Sequence, residues 1–388
     1  CKKYFEPTLD INDYKYDELL KEFLFLFHFW YDFIKKNKNL KKILTSHSVY
    51  SYAIISRVGL HFNKKVYSIT IDRIKKLNKK TPYELHYKDF SKTKIEYLKK
   101  NIKKKLLLKG KKILTTELKG QSILSEIVST LQKNSFSRNK QKSLVAQSNK
   151  IKILISPHDF FDAPHVWGDH KLFPDYYEWL KFLMNISKKT NYDWYLKSHP
   201  NFAGDYGVGQ RKTRKILKQL FKDQKNIKIL PPNYSNYRIV KDNIDIVITC
   251  HGSVAYEFPY FKIPTITTSE CSPFKDYNFN VKAKSKQQLK EIILNLNINK
   301  YRKKINRDEI FHYFSSRFVF YNTASWLFDY TDYTRYIKGW VNRDNITLYY
   351  YWLKNFRKIN NQKVYNTIKR FLKSNSILLN KTLYEDIF

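Results

Sequence analysis

The chain has 388 residues, room for two domains of ordinary size, and 42% of them are apolar, enough to build a core in each. Its formal charge is +39, from 73 Lys+Arg against 34 Asp+Glu, which favours polyanions: nucleic acid, an anionic membrane surface or sugar phosphates. Part of that excess fits the Lys-, Asn-, Ile- and Tyr-rich composition of a chain from an AT-rich genome. The three cysteines form no CxxC pair, which argues against a disulfide framework or a zinc site and for a reducing compartment. No apolar run reaches the roughly 18 to 20 residues of a membrane span; the nearest, 23–34, contains His28 and Asp32. No signal peptide is evident, and the opening on Cys1 rather than Met points to a truncated start.

In chain order, apolar spacing predicts a helix over 14–36 with a lysine-rich end. A strand over 41–47, a helix over 48–63 and a strand over 64–70 follow, the unit of a parallel sheet. Residues 83–108 read as a basic helix. Residues 133–150 have almost no apolar periodicity and read as a linker or loop. A second series then alternates strands at 151–159, 192–200, 227–232, 244–250 and 264–269 with helices at 176–190, 211–224, 234–243, 253–261 and 285–297. With no hairpin signal among them, these predict a doubly wound parallel sheet. The remainder, 301–388, reads as basic, aromatic and helical. The division is therefore 1–132, an N-terminal α/β domain; 133–150, a linker; 151–300, a Rossmann-type domain; and 301–388, a tail.

In such a sheet, ligands bind beyond the carboxyl ends of the strands. His199 and His251 both fall just past predicted strand ends, in "YLKSHP" and "CHGSVAYE". The basic Lys197 and the turn residue Ser198 precede the first, and Pro200 stiffens that turn. A histidine there offers a donor to a phosphate; the alternative is a surface loop histidine that contacts nothing. Gly252 permits close backbone approach, and Ser253 offers a hydroxyl to a phosphate or a cap to the next helix. Glu257 falls one turn after Ser253 and suits a ribose diol; a solvated helix carboxylate is the alternative. The loop "SPHDFFDAPHVWGDH" (156–170) concentrates His158, Asp162, His165, Asp169 and His170. Their spacing matches no zinc pattern, so contacts at an interdomain cleft, or Asp-capped loop structure, are favoured over a metal. His47, past a strand of the first domain, suits a general base for an acceptor hydroxyl, or else is a satisfied loop histidine.

"YLKSHP" followed by "NIDIVITCHGSVAYEFPYFKIPTI" resembles the C-terminal domain of bacterial capsule and surface-polysaccharide glycosyltransferases of GT-B architecture. The nearest groups are Kdo-transferase-type capsule proteins and, more distantly, polysialyltransferases and teichoic-acid glycerophosphotransferases. The resemblance covers 150–297, and 41–70 weakly. It implies two Rossmann-type domains facing a cleft. It implies that His199 and Ser253 contact a donor phosphate, that Glu257 holds the ribose, that Gly252 admits the backbone and that Ser269 and Glu270 lie near the base. Cys250-His251-Gly252 departs from the commoner second motif, so His251 adds a possible phosphate contact.

The reading is a metal-independent glycosyltransferase without cofactor, using a nucleotide-sugar donor and a glycan or lipid-linked acceptor. It would work on a capsule or lipopolysaccharide at the cytoplasmic membrane face. His47 is the expected base, with Asp162 or His165 as substitutes, and the basic segments 83–108 and 301–388 the expected contacts with anionic lipid. The alternatives are a CDP-glycerol-type glycerophosphotransferase and a nucleotide-sugar 2-epimerase. A nucleic-acid-binding protein, favoured by charge alone, ranks last.

Overall fold

The computed structural model describes residues 5–8, 10, 12–70, 73–121, 135–138, 140–162, 172–198, 207–250, 252–268, 272–321, 350, 353–354 and 361–380. They are organised by two sheets. The first is built by α1 (Tyr14–Lys36), β1 (Lys42–Thr45), α2 (Tyr52–His61), β2 (Lys65–Ile69) and β3 (Ile74–Leu77). Asp13 starts α1 by accepting from Lys15 N, and Asn37 ends it by donating to Phe33 O. β1 and β2 pair in parallel, with Ile43 opposite Val66. Both side chains enter a small core with Ile34 of α1 and Val58 of α2.

β3 is not in the pattern read from the sequence, and it runs antiparallel to β2, so the first sheet is not wholly parallel. The reason is Lys75 at its centre. This lysine is fully buried against Asp89, 2.5 Å away. A pattern reading puts every lysine outside and so misses the strand. The same pair overturns the helix expected over 83–108. Asp89 also accepts from His86 N and closes a capping box, which holds Tyr87–Phe90 as a 3-10 turn. A second such turn occupies Lys92–Lys94, and α3 begins only at Lys100 and runs to Leu118.

The second sheet follows the predicted alternation. β4 (Lys152–Ile155), α4 (Tyr176–Ser187), β5 (Asp193–Lys197), α5 (Gly207–Leu220) and β6 (Ile227–Leu230) form one half. α6 (Asn236–Lys241), β7 (Ile246–Thr249), α7 (Val254–Tyr260), β8 (Thr265–Thr267), β9 (Val281–Lys282) and α8 (Lys286–Leu294) form the other. The strand order is β6-β5-β4-β7-β8-β9, and every pairing is parallel. This is the Rossmann order, with the direction of winding reversing between β4 and β7. Burial on both faces explains the near-continuous apolar runs: all four residues of β7 are buried. Trp179 of α4 and Trp194 of β5 are among the largest fully buried side chains.

Residues 135–138 and 140–150 carry no helix or strand, as a connecting segment would, yet Phe136 and Val145 are buried. Phe136 stacks on Phe261 at 5.6 Å. Beyond residue 297 come α9 (Ile298–Lys303), α10 (Arg307–Phe314), a π-helical segment Ser315–Phe320 and α11 (Asn361–Lys373). α3 packs against α10 through Leu106, Leu114, Ile310 and Phe314, all fully buried. The tail is not helical throughout. Lys76 N donates to Ile377 O at 2.8 Å and Leu379 N to Ile74 O at 2.9 Å, so the chain returns to pair along β3 of the first sheet. Phe371 and Leu379 bury themselves there with Tyr67 and Ile74.

Candidate active site

Because the six strands are parallel, the residues after Ile155, Lys197, Thr249 and Thr267 share one edge of the sheet. The loops after β4 and β7 flank the point of reversal, where neighbouring loops diverge and leave a crevice. At this edge, Thr249 and Thr267 are opposite each other in register. Both hydroxyls are buried without a hydrogen-bond partner among the described residues.

Gly252 lies on the reversal point. A Cβ placed there would come 3.2 Å from His158 Nε2 and 3.3 Å from Thr249 Oγ1, so a larger residue would require one of the two loops to give by a few tenths of an ångström. His158 in turn stacks on Tyr176 of α4, with ring centroids 5.1 Å apart. Asp159 is structural: it accepts from Phe161 N at 3.0 Å and from Thr213 Oγ1 of α5 at 2.9 Å, tying the loop to that helix. Cys250 is a buried thiol whose Sγ accepts from Thr268 Oγ1.

Next to Gly252, a polar chain, buried at Lys197 and Asn236 and half-buried at Glu257, links three elements. Lys197, the last residue of β5, donates from Nζ to Asn236 Oδ1 at 2.7 Å. Asn236, the first residue of α6, reaches Glu257 Oε2 of α7 at 3.5 Å. The Ser253 hydroxyl also bonds the Glu257 carboxyl, one helical turn away. Ser253 is exposed and caps no amide, so the capping alternative is set aside in favour of that carboxylate bond. Burial pushes the Glu257 carboxyl up to about 7, against the hydrogen bond from Ser253, the Lys197 charge and the bond from Asn236. Burial likewise pulls the Lys197 ammonium down to about 8, partly offset by Glu257. Lys197 is thus turned inward, supporting Asn236 and Glu257 from below, and Ser198 beside it is buried.

The loop after β1 carries a second polar group. His47 is half exposed, and its Nδ1 is 3.1 Å from Glu84 Oε2, with Glu84 almost buried. Ser48 N donates to the same carboxylate oxygen at 3.0 Å. Glu84 therefore holds both the ring and the backbone that carries it. With Nδ1–H donating to the carboxylate, the ring's lone pair is on Nε2. Tyr50, held at φ 53°, donates from its hydroxyl to Asp162 Oδ1 at 3.2 Å, joining the first sheet's loop to the loop after β4. Asp162 is thereby tied to the loop that carries His47, while Lys197, Ser198, Gly252, Ser253 and Glu257 lie at or just past the carboxyl ends of β5 and β7. His165, His199, His251, Ser269 and Glu270 lie outside the described residues. Among the described residues, no three His, Cys, Asp or Glu side chains converge as a metal-ligand set.

Three contributors escape a reading of the sequence. Glu84 follows His47 by 37 residues in "PYELHY", with no motif to connect them. Asn236 and Glu257 stand 21 residues apart on α6 and α7, and only the fold brings them together. Tyr50 is one aromatic among 31 tyrosines. The one available signal was for Asn236, a polar residue just after a helix cap at a strand's carboxyl end.

No family description and no curated protein matches the chain. Among solved structures, it is similar to the beta Kdo 2,4 transferase KpsC of Thermosulfurimonas dismutans, at 9% identity over 70% of this chain and 78% of that one, TM-score 0.40. It is also similar to the UDP-GlcNAc 2-epimerase of Neisseria meningitidis bound to UDP-GlcNAc, at 13% identity over 80% and 82%, TM-score 0.33. The MnaA–UDP co-structure of S. aureus shows 12% identity over 76% of each chain, TM-score 0.32. At such scores the chemistry of the site rests on its own residues.

Proposed function

We propose that the protein is a nucleotide-sugar-dependent glycosyltransferase that extends a capsule or lipopolysaccharide glycan. The observation that supports this most is an oriented imidazole in a loop tied to the Rossmann-ordered half of the chain. A carboxylate-oriented imidazole, His47–Glu84, lies in the loop that the Tyr50–Asp162 hydrogen bond ties to the loop after β4. A part-buried carboxyl network, Glu257–Asn236–Lys197, lies past the strand ends of the Rossmann-ordered sheet.

In this reading, Glu257 and Ser253 bind the donor's ribose and phosphate side, with Gly252 admitting the pyrophosphate close to the backbone. His199 and His251 would add donors to the leaving phosphate, and Ser269 and Glu270 would meet the base. His47 Nε2 takes the proton of the acceptor hydroxyl as the new glycosidic bond forms and the sugar's bond to phosphate breaks. Glu84 stabilises the resulting imidazolium, and fixed donors meet the charge on the departing nucleotide. Asp162, exposed and held by Tyr50, is the substitute base.

A nucleotide-sugar 2-epimerase is the second reading, favoured by the place of Glu257 beside Asn236, where burial pushes its carboxyl up to about 7, a value that suits proton transfer at a sugar carbon. Thermal-shift measurements with CMP-, UDP-, GDP- and CDP-linked compounds, followed by product analysis with and without acceptor glycan, separate the readings. The transferase predicts one stabilising donor and nucleotide release that depends on acceptor. His47→Ala should lower kcat roughly 100- to 10,000-fold while leaving the donor's thermal shift intact. Epimer formed without acceptor would select the second reading, and no stabilisation by any nucleotide would refute both.

A further inference from the structure

α1 and α2 run side by side in the same direction. Tyr31 is beside His61 at the end of α2, with ring centroids 6.2 Å apart. Phe23, about two turns earlier on α1, comes near Ile54 at the start of α2. α2 is tight against the sheet, since no Cβ would fit at Gly59 beside Ile43 of β1. Between the two helices, by contrast, is a cavity of about 280 Å³. One wall is an aromatic ladder of Phe23, Phe27 and Tyr31, with successive ring centroids 6.1 Å and 5.8 Å apart. Ile54 and Val58 of α2 form the other wall. The polar members are Arg57 and His61, both exposed and one helical turn apart.

No carboxylate is among the lining residues. Glu18, Glu22 and Asp32 of α1 are on its opposite face, together with Phe25, Phe29 and Phe33. The Arg57 guanidinium is held over the Tyr83 ring, 5.5 Å from its centroid. The cavity thus pairs an apolar interior with a cationic rim.

Size limits the occupant. An apolar cavity of about 150 Å³ stays dry and takes one benzene ring, so about 280 Å³ has room for roughly 10 to 12 carbons. A partner helix, about 10 Å across and rising 1.5 Å per residue, would fill that volume with about two residues. A single hydrocarbon chain fits where a protein segment does not. Leu20 and Leu24, exposed on the same side of α1 as Phe23 and Phe27, give such a chain an apolar way in past the start of α2.

We propose that the α1–α2 cavity binds one apolar chain of an amphiphile, whose anionic head, a carboxylate or a phosphate, is held at the rim by Arg57 and His61. The inference goes beyond the transfer reaction and stands without it.

The test is isothermal titration calorimetry of the full chain with decanoate, decyl phosphate, decanol and hexanoate, each below its micelle concentration. Wild type should bind the ten-carbon anions one to one, and the tighter of the two assigns the head. Hexanoate, four methylenes shorter than decanoate, should bind at least about 100-fold more weakly, each buried methylene being worth about fourfold. Decanol should bind about tenfold more weakly than the tighter anion. Arg57→Gln should bring the anions to the level of decanol and leave decanol unchanged. Ile54→Phe, which puts a ring into the cavity, should abolish binding, whereas Phe25→Ser on the opposite face of α1 should bind as wild type does. Independently of any filled variant, ω-bromodecanoate should quench Trp30, read as the difference from Trp30→Phe. No binding of either anion by wild type, several chains bound per protein without saturation, wild-type binding by Ile54→Phe, or binding lost in Phe25→Ser would overturn the proposal. Trp30 left unquenched in saturated protein would overturn the seating of the chain. Decanol binding as tightly as the anions, or anion binding unchanged in Arg57→Gln, would overturn the contact with the head.

Discussion

Glu257→Gln isolates what the buried carboxyl does. The side chain keeps its shape and still accepts from Asn236 Nδ2, but it can no longer ionise. In the native protein the carboxyl titrates at about 7 rather than at the ordinary 4.5, because burial penalises its charge. A folded-state pKa raised above the unfolded one contributes stability that is full below the unfolded value and is lost as pH rises through the folded value. The window is therefore pH 4.5 to about 7. At 1.36 kcal/mol per pKa unit, wild type should lose about 3 kcal/mol relative to Glu257→Gln between pH 4.5 and pH 8. The Lys197 charge is already contained in that value, since it is one of the influences that hold the carboxyl down. Urea unfolding of both proteins at half-unit pH intervals measures the difference directly. Converging curves at pH 4.5 that separate towards pH 8, with the variant more stable, are expected. Parallel curves would show that the carboxyl is not desolvated and would refute the placement of Glu257 in the network. In activity, the variant should raise the KM for the donor about tenfold, since a neutral amide accepts more weakly from a diol.

Two further substitutions probe the scaffold. Gly252→Ala puts a methyl 3.2 Å from His158 Nε2 and 3.3 Å from Thr249 Oγ1, so it should cost about 1–3 kcal/mol in thermal or urea unfolding and weaken nucleotide-induced stabilisation; unchanged values for both would contradict the close approach of the two loops. Lys75→Met strands the Asp89 carboxylate in the interior and should cost about 3–5 kcal/mol, recovered in large part by Lys75→Met/Asp89→Asn, as a double-mutant cycle measured by unfolding would read out. Because Asp89 caps the turn that follows Glu84, the single variant should also lower kcat, a loss that pure global destabilisation would not give below the melting transition.

The alternation of apolar β-runs with amphipathic helices determined the second sheet from the sequence alone. β4, β5, β6, β7 and β8 fall within the strands read from it, because strands buried on both faces need continuous apolar runs. The same pattern located the loop ends at Lys197, Gly252 and His47, since a parallel sheet puts every strand's carboxyl end on one edge. Local reading failed where a charge is buried or a contact spans the chain. β3 hides behind Lys75, whose burial makes sense only with Asp89 beside it, and the pairing of Ile377–Leu379 along β3 joins residues three hundred positions apart. The partners that give the site its chemistry, Glu84 for His47 and Asn236 for Glu257, are likewise set by tertiary crossing and leave no period or motif. Sequence patterning reports which face of an element is apolar. The protonation and orientation of a side chain depend on what the rest of the chain brings within a few ångströms of it, and only the folded structure decides that.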